Sequence, residues 1–295
     1  MITFRYHVVT LVAVFMAIGL GVLIGATFID QNIVEGLEAA QVRLGTRNET
    51  LRTRILELEK QTEALTAFSG SARDQVVRGA LEGQPVVLLS MDSTAGNVRD
   101  AIDQTLGVAG AIVVGRVTLS DDLDLQGEDA RRRLAAALGT ASTQPAALSE
   151  LLAAQVSGEL LGQTPPVIEK LIENGLAGGQ IGPASPTAAG QTPATPLVVL
   201  VAGNYSEELN DLLTVPLVEA LAAGPVVTAV AEPGADSRTL RPLRDGSVEV
   251  VTVDGAETAV SQAALATGLR AALGGQFASY GTGEGATTIL PPPPA

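Results

Sequence analysis

The uncharged run from Val8 to Ile29, VVTLVAVFMAIGLGVLIGATFI, constrains this chain more than any other feature. At about 1.5 Å per residue it makes a helix of roughly 33 Å, enough to cross a hydrocarbon core of about 30 Å with some tilt. We therefore expect a transmembrane anchor over 8–29, preceded by a short cytosolic N-terminus over 1–7. A cleaved secretory signal is the rival reading. Its apolar core spans only about 7–15 residues and ends in a small-x-small site. Ile24 and Ala26 are the one plausible pair here, and Ile24 fits poorly.

Within the run Ala13, Ala17, Gly21 and Gly25 recur every four residues and share one stripe of the helix. Small residues let a second backbone come close, and close packing holds helices together in lipid. Small residues are also simply common in membrane helices, which is the plain alternative. Arg5 and His7 precede the helix, and Arg43 and Arg47 are the next basic residues after it. Charge alone therefore does not fix orientation. A short cytosolic N-terminus with the bulk of the chain outside the cytosol is the simpler topology, giving a single-pass protein of the cell membrane.

After the anchor, Leu37, Leu44, Leu51, Leu58 and Leu65 fall seven apart and take position d of a heptad repeat. Position a is then Val34, Gln41, Asn48, Ile55 and Thr62. Leu at d with mixed residues at a suits two parallel strands, and a buried Asn such as Asn48 sets register. Arg54 at g faces Glu59 at the following e of a partner. This predicts a coiled coil over 30–68 and a homodimer. The competing reading is a single amphipathic helix lying on its own domain, with Gly36 and Gly45 weakening the coil.

From Pro85 onward apolar runs alternate with helical segments. PVVLLSM (Pro85 to Met91), AIVVGRVTL (Ala111 to Leu119), LVVLVAG (Leu197 to Gly203), PVVTAVA (Pro225 to Ala231) and VEVVTV (Val248 to Val253) read as strands. Helices are expected near 97–106, 128–138, 147–161, 166–176, 206–223 and 257–273. The fold expected over 69–276 is an α/β domain with a mostly parallel sheet covered by helices. A low-complexity loop over 182–196 interrupts it, and a Gly/Pro-rich tail over 277–295 follows it. That tail reads as a flexible or docking segment.

The opening FRYHVVTLVAVFMAIGLGVLIG, the coil segment LRTRILELE, the junction VVRGALEGQPVVLLS and the ending YGTGEGATTILP together resemble the actinobacterial copper-transport MctB-type family. That family comprises envelope proteins with a signal-like N-terminal helix. The resemblance implies a role in copper export or in keeping cellular copper low, and it carries no catalytic residues over.

Composition bounds the chemistry. The chain has no Cys, one His at the membrane border, and Met1, Met16 and Met91, with a formal net charge of −14. Cu(I) favours thiolate and thioether ligands and Cu(II) favours imidazole, so no copper site is expected and a copper role would be indirect. An acidic chain with few aromatics argues against nucleic acid as a partner. Lipid, a second copy of the chain and other envelope proteins are the partners expected.

Open α/β sheets bind ligands at the carboxyl ends of their strands. This singles out Asp92, Asn204 and Glu232 as a candidate ligand crevice, although Asp92 and Ser93 also suit a helix N-terminus, as does Ser206. No phosphate-loop lysine, nucleophile elbow or His-based triad is present, so neither cofactor nor enzymatic activity is expected. Gly281, Gly283 and Gly285 lie between a helix and a proline run, the wrong context for a dinucleotide loop.

Overall fold

The structure, a computed structural model, describes residues 4–94, 96–182, 197–203, 209–236, 238–246 and 248–291, without the side chains of 26–39, 122 and 124. It divides into two units, Met1–Leu65 and Thr66–Ala295.

The first unit is helical. Helix α1 (Phe4–Val77) begins with an apolar stretch, Phe4–Gly25, of 22 residues that meets the length and hydropathy of a membrane span. Its side chains are exposed, as a lipid-facing surface requires. The Thr10 hydroxyl donates to the Tyr6 carbonyl at 2.7 Å, so even this polar group is satisfied within the helix. A Cβ at Gly21 or Gly25 would meet open space, which leaves the small-residue stripe bare. Leu44, Leu51, Ile55, Leu58 and Leu65 are likewise exposed, whereas the side chain of Leu37 lies outside the described residues.

In the second unit the described residues form a seven-stranded sheet, in the order β3-β2-β1-β4-β5-β6-β7. The strands are β1 (Pro85–Met91), β2 (Ile112–Leu119), β3 (Ala177–Ile181), β4 (Leu197–Val201), β5 (Thr228–Glu232), β6 (Val251–Asp254) and β7 (Ser279–Tyr280). All neighbours pair in parallel except β2 and β3. The order reverses between β1 and β4, as in doubly wound Rossmann-type sheets.

Alternate residues of each strand feed two cores. Val87, Leu89 and Met91 of β1, with Val198 and Leu200 of β4, pack against α3 (Glu128–Leu138), α4 (Pro145–Leu160), α5 (Ile168–Glu173) and α6 (Val215–Ala222). Val86 and Leu88, with Leu197, Val199 and Val201, face α2 (Gly96–Val108), α8 (Ala259–Leu273) and Val77 at the end of α1. The short helix α7 (Leu240–Asp245) follows β5. On the α2 side, the buried end of α1 is held by Arg73, whose Nη1 donates to Gln262 Oε1 at 2.7 Å.

Three expectations shift. The AGGQI segment Ala177–Ile181, unremarked in the sequence, is an antiparallel edge strand; its two glycines hide the strand pattern, and its position on the rim spares it two-sided burial. The helix expected over 166–176 shrinks to Ile168–Glu173, where the Glu159 carboxylate accepts from the Val167 and Ile168 N–H groups at 2.6 and 2.8 Å. The segment expected as one helix over 206–223 contains a π-helical turn at Asn210–Thr214 before α6, and residues 204–208 are outside the described set. So are 183–196 of the low-complexity stretch.

Leu200 of β4 is fully buried. Leu200→Ala should destabilise the domain by about 2–5 kcal/mol through lost transfer energy and the cavity left behind. Urea unfolding monitored by circular dichroism measures this.

Candidate functional site

The carboxyl ends of β1 and β4 meet where the strand order reverses, the place where an open sheet would offer a crevice. Here the chain's own turn occupies it. Thr94 Oγ1 reaches the Val201 and Ala202 carbonyls at 3.4 and 3.2 Å and so clamps the end of β4 to the turn after β1. A Cβ at Gly203 would collide with Ser93 Oγ, so only glycine lets the strands close this tightly. Ser93 N–H donates to Asp121 Oδ1 at 3.0 Å, and Asp92 N–H to the Leu119 carbonyl at 2.8 Å.

Of the three crevice residues singled out by sequence, Asp92 follows β1 and Glu232 ends β5. The Asp92 side chain is exposed on its turn, and Asn204 lies outside the described residues. Glu232 ends β5, two strand spacings from β1, or about 10 Å. Its buried carboxylate accepts from the Thr239 and Leu240 N–H groups at 3.1–3.2 Å. Those are the free donors at the start of α7, so Glu232 acts as the helix cap rather than as an open ligand.

The most elaborate polar arrangement is one that strand patterning did not flag. Asp254, the last residue of β6, and Arg244 of α7 form an ion pair at 2.8 Å, with side chains only 1% and 2% exposed. Desolvating two charges is costly unless every lone pair and proton finds a partner. The tail supplies those partners. Thr282 N–H donates to Asp254 Oδ1 at 2.8 Å and Gly283 N–H to Oδ2 at 3.1 Å. Arg244 donates to the Tyr280 and Glu284 carbonyls at 3.0 and 2.7 Å, and its Nε donates to Thr252 Oγ1 at 3.1 Å.

Glycine is required for this approach. Gly281 has φ 130°, and a Cβ there would strike the Asp254 carboxylate. The tail is therefore a docked element: Ser279–Tyr280 adds a strand beside β6, Tyr280 bridges to Thr288, and Arg241 pairs with Glu284 at 2.9 Å. Burial pushes the Tyr280 phenol above its usual range. The glycine-spaced YGTGEG run was the available signal; reading it required knowing that Arg244 and Asp254 lie beneath it.

Metal-ligand chemistry is sparse. Among the described residues no three His, Cys, Asp or Glu side chains converge on a point that could hold a metal ion. Met91 is buried in the core beside Leu89 and Val117, and Met16 belongs to the apolar stretch of α1.

A doubly wound α/β domain, its strand-end polar groups engaged by its own turn and tail, follows a long helix with an apolar start. The chain belongs to the family described as copper transport outer membrane protein, MctB, whose model matches residues 1–291. It is similar to the proteins named "Copper transporter MctB" from Mycobacterium bovis and Mycobacterium tuberculosis. Each is 25% identical over 321 aligned positions, covering 98% of this chain and 99% of the relative.

Asp254→Ala should leave Arg244 buried without its counter-charge and cost about 3–5 kcal/mol, with the tail released to proteolysis. Thermal melts and limited digestion read both effects. Alkaline titration tests Tyr280 separately. Because its neutral phenol is favoured in the fold, the stability it contributes is present below the ordinary value of 10.0 and is lost as pH rises through the raised value. Tyr280→Phe should flatten that limb of the stability–pH curve.

Proposed function

We propose that this protein serves copper transport or copper homeostasis as a single-pass envelope protein, anchored by Phe4–Gly25 with its α/β domain outside the cytosol. It acts on copper indirectly, by holding or organising a partner that handles the metal. The observation that carries the reading is the pairing of a whole-length family match with a donor inventory of no Cys and one His. The one apolar span among the described residues encloses no channel by itself, so conduction belongs to an assembly. The same inventory favours the neighbouring reading of an envelope scaffold without transport activity.

Copper separates the two. A strain lacking the gene should accumulate copper and lose copper tolerance, with both restored by the intact chain and equally by His7→Ala. Unchanged copper content and tolerance would leave the scaffold reading in its place. Failure of His7→Ala alone to restore tolerance would show that the histidine is a ligand after all. Membrane fractionation of the tagged chain, with protease accessibility from each side, tests the anchor and its orientation.

The assembly that fits the helix is a parallel homodimer. The exposed seam of Leu44, Leu51, Ile55, Leu58 and Leu65 supports it, and the stripe at Ala13, Ala17, Gly21 and Gly25 lies upstream on α1. Each contact raises the effective concentration of the other. Arg54 and Glu59 attract across such a seam, whereas Arg47 at g meets Arg52 at the following e and repels it. Paired Leu51→Lys and Leu58→Lys changes should yield a monomer of the full chain in detergent by sedimentation, and Asn48→Leu should strengthen association while relaxing its stoichiometry. Arg52→Glu should tighten the dimer, each new pair adding about 0.5 kcal/mol. A wild-type chain that sediments as a monomer would overturn the dimer.

A further inference from the structure

On the α2 side of the sheet, β1 and β2 turn polar toward their carboxyl ends. Leu88 pairs with Arg116 and Ser90 with Thr118 in the parallel register. Above them the first turns of α2 bring Arg99, Asp100 and Asp103, and a cavity of about 140 Å³ lies between. Ser90 is buried, and its hydroxyl is 3.1 Å from that of Thr118.

Two arginines and two aspartates line this cavity, but they are not paired alike. Arg116 is engaged by Asp103 through two bonds, at 2.9 and 3.2 Å. Arg99 stands in no ion pair among the described residues, and its one hydrogen bond is long, from Nη1 to Thr118 Oγ1 at 3.4 Å. A guanidinium carries five N–H donors and no acceptor, so most of its donor capacity is unspent. The hydroxyls leave a donor over as well. Two O–H groups that share one mutual bond retain one proton without an acceptor, whichever of them donates. Asp100, exposed at the rim, is the one acidic group lining the cavity besides the paired Asp103, and solvent screens it.

We propose that this cavity binds a small oxyanion, a carboxylate or a phosphate group, held by Arg99 and by the spare hydroxyl proton of the Ser90–Thr118 pair. Both donors point to an acceptor with several lone pairs, and planar or tetrahedral oxyanions accept charge-assisted bonds from guanidinium. The cavity limits the ligand to a small acid or phosphate ester, or to the headgroup end of something larger. The site is independent of the copper reading and of the docked tail, and it stands or falls apart from them.

Equilibrium dialysis of the full chain in detergent, with radiolabelled inorganic phosphate and with radiolabelled acetate at constant ionic strength, tests the proposal and distinguishes its two forms. Saturable one-to-one binding of either probe is expected, weakened about tenfold or more by Arg99→Met and less by Ser90→Ala. Asp100→Asn, at an exposed position that the fold does not need, should tighten binding by removing the repelling carboxylate. A purely structural Arg99 would not produce that gain. Absence of saturable binding of both probes up to about 10 mM overturns the proposal. So does equal binding by wild type and Arg99→Met, or a loss of binding in Asp100→Asn.

Discussion

A parallel strand buried on both faces has no side that can be left to water, and this requirement organises the whole second unit. Leu197–Val201 is buried from end to end, as is Pro85–Met91, so helices must cover the sheet above and below. Odd and even positions then sort into two cores, one beneath α3 to α6 and one beneath α2 and α8. Ser90, Thr118, Glu232 and Asp254 gather toward the sheet's carboxyl edge, whereas the buried Thr228 opens β5 at the other end.

What that edge does with its polar groups separates this protein from a typical ligand-binding sheet. Glu232 caps α7, Thr94 clamps β4, and Asp254 with Arg244 is filled by the tail. Three places where a ligand could sit are thus satisfied by the chain itself. The cavity at Arg99 is the exception, since that guanidinium has no ion-pair partner among the described residues.

The strands β1, β2 and β4 were legible because short segments rich in Val, Leu and Ile have few other uses in a chain of this composition. So were the apolar start of α1 and the alternation that makes the sheet parallel. The edges were not. Ala177–Ile181 carries two glycines, and Ser279–Tyr280 is too short for any period to emerge. The candidate site was legible only in part. Asp92 and Glu232 were placed correctly at strand ends, but a sequence does not show that a carboxylate at a strand end is already spent on backbone N–H groups. Arg244 and Asp254 lie ten residues apart with nothing in the local pattern to couple them, and the segment that completes their bonding begins at Tyr280. Such pairings are set by tertiary structure, which local propensity does not encode.

The docked tail also dictates an order of events during biogenesis. Residues 279–288 leave the ribosome after the other strands and helices described for the domain, yet β6 has no outer neighbour, and Arg244 and Asp254 lack the partners the tail supplies, until those residues are in place. Folding can therefore reach its final state only once synthesis has passed this point, because these parallel and side-chain contacts bring in their last strand from the final segment. A shortened chain would display an open sheet edge and an unmet buried charge pair, the features that proteases and chaperones act on. The glycine-spaced segment thus closes the sheet edge and satisfies the buried pair in a single docking step.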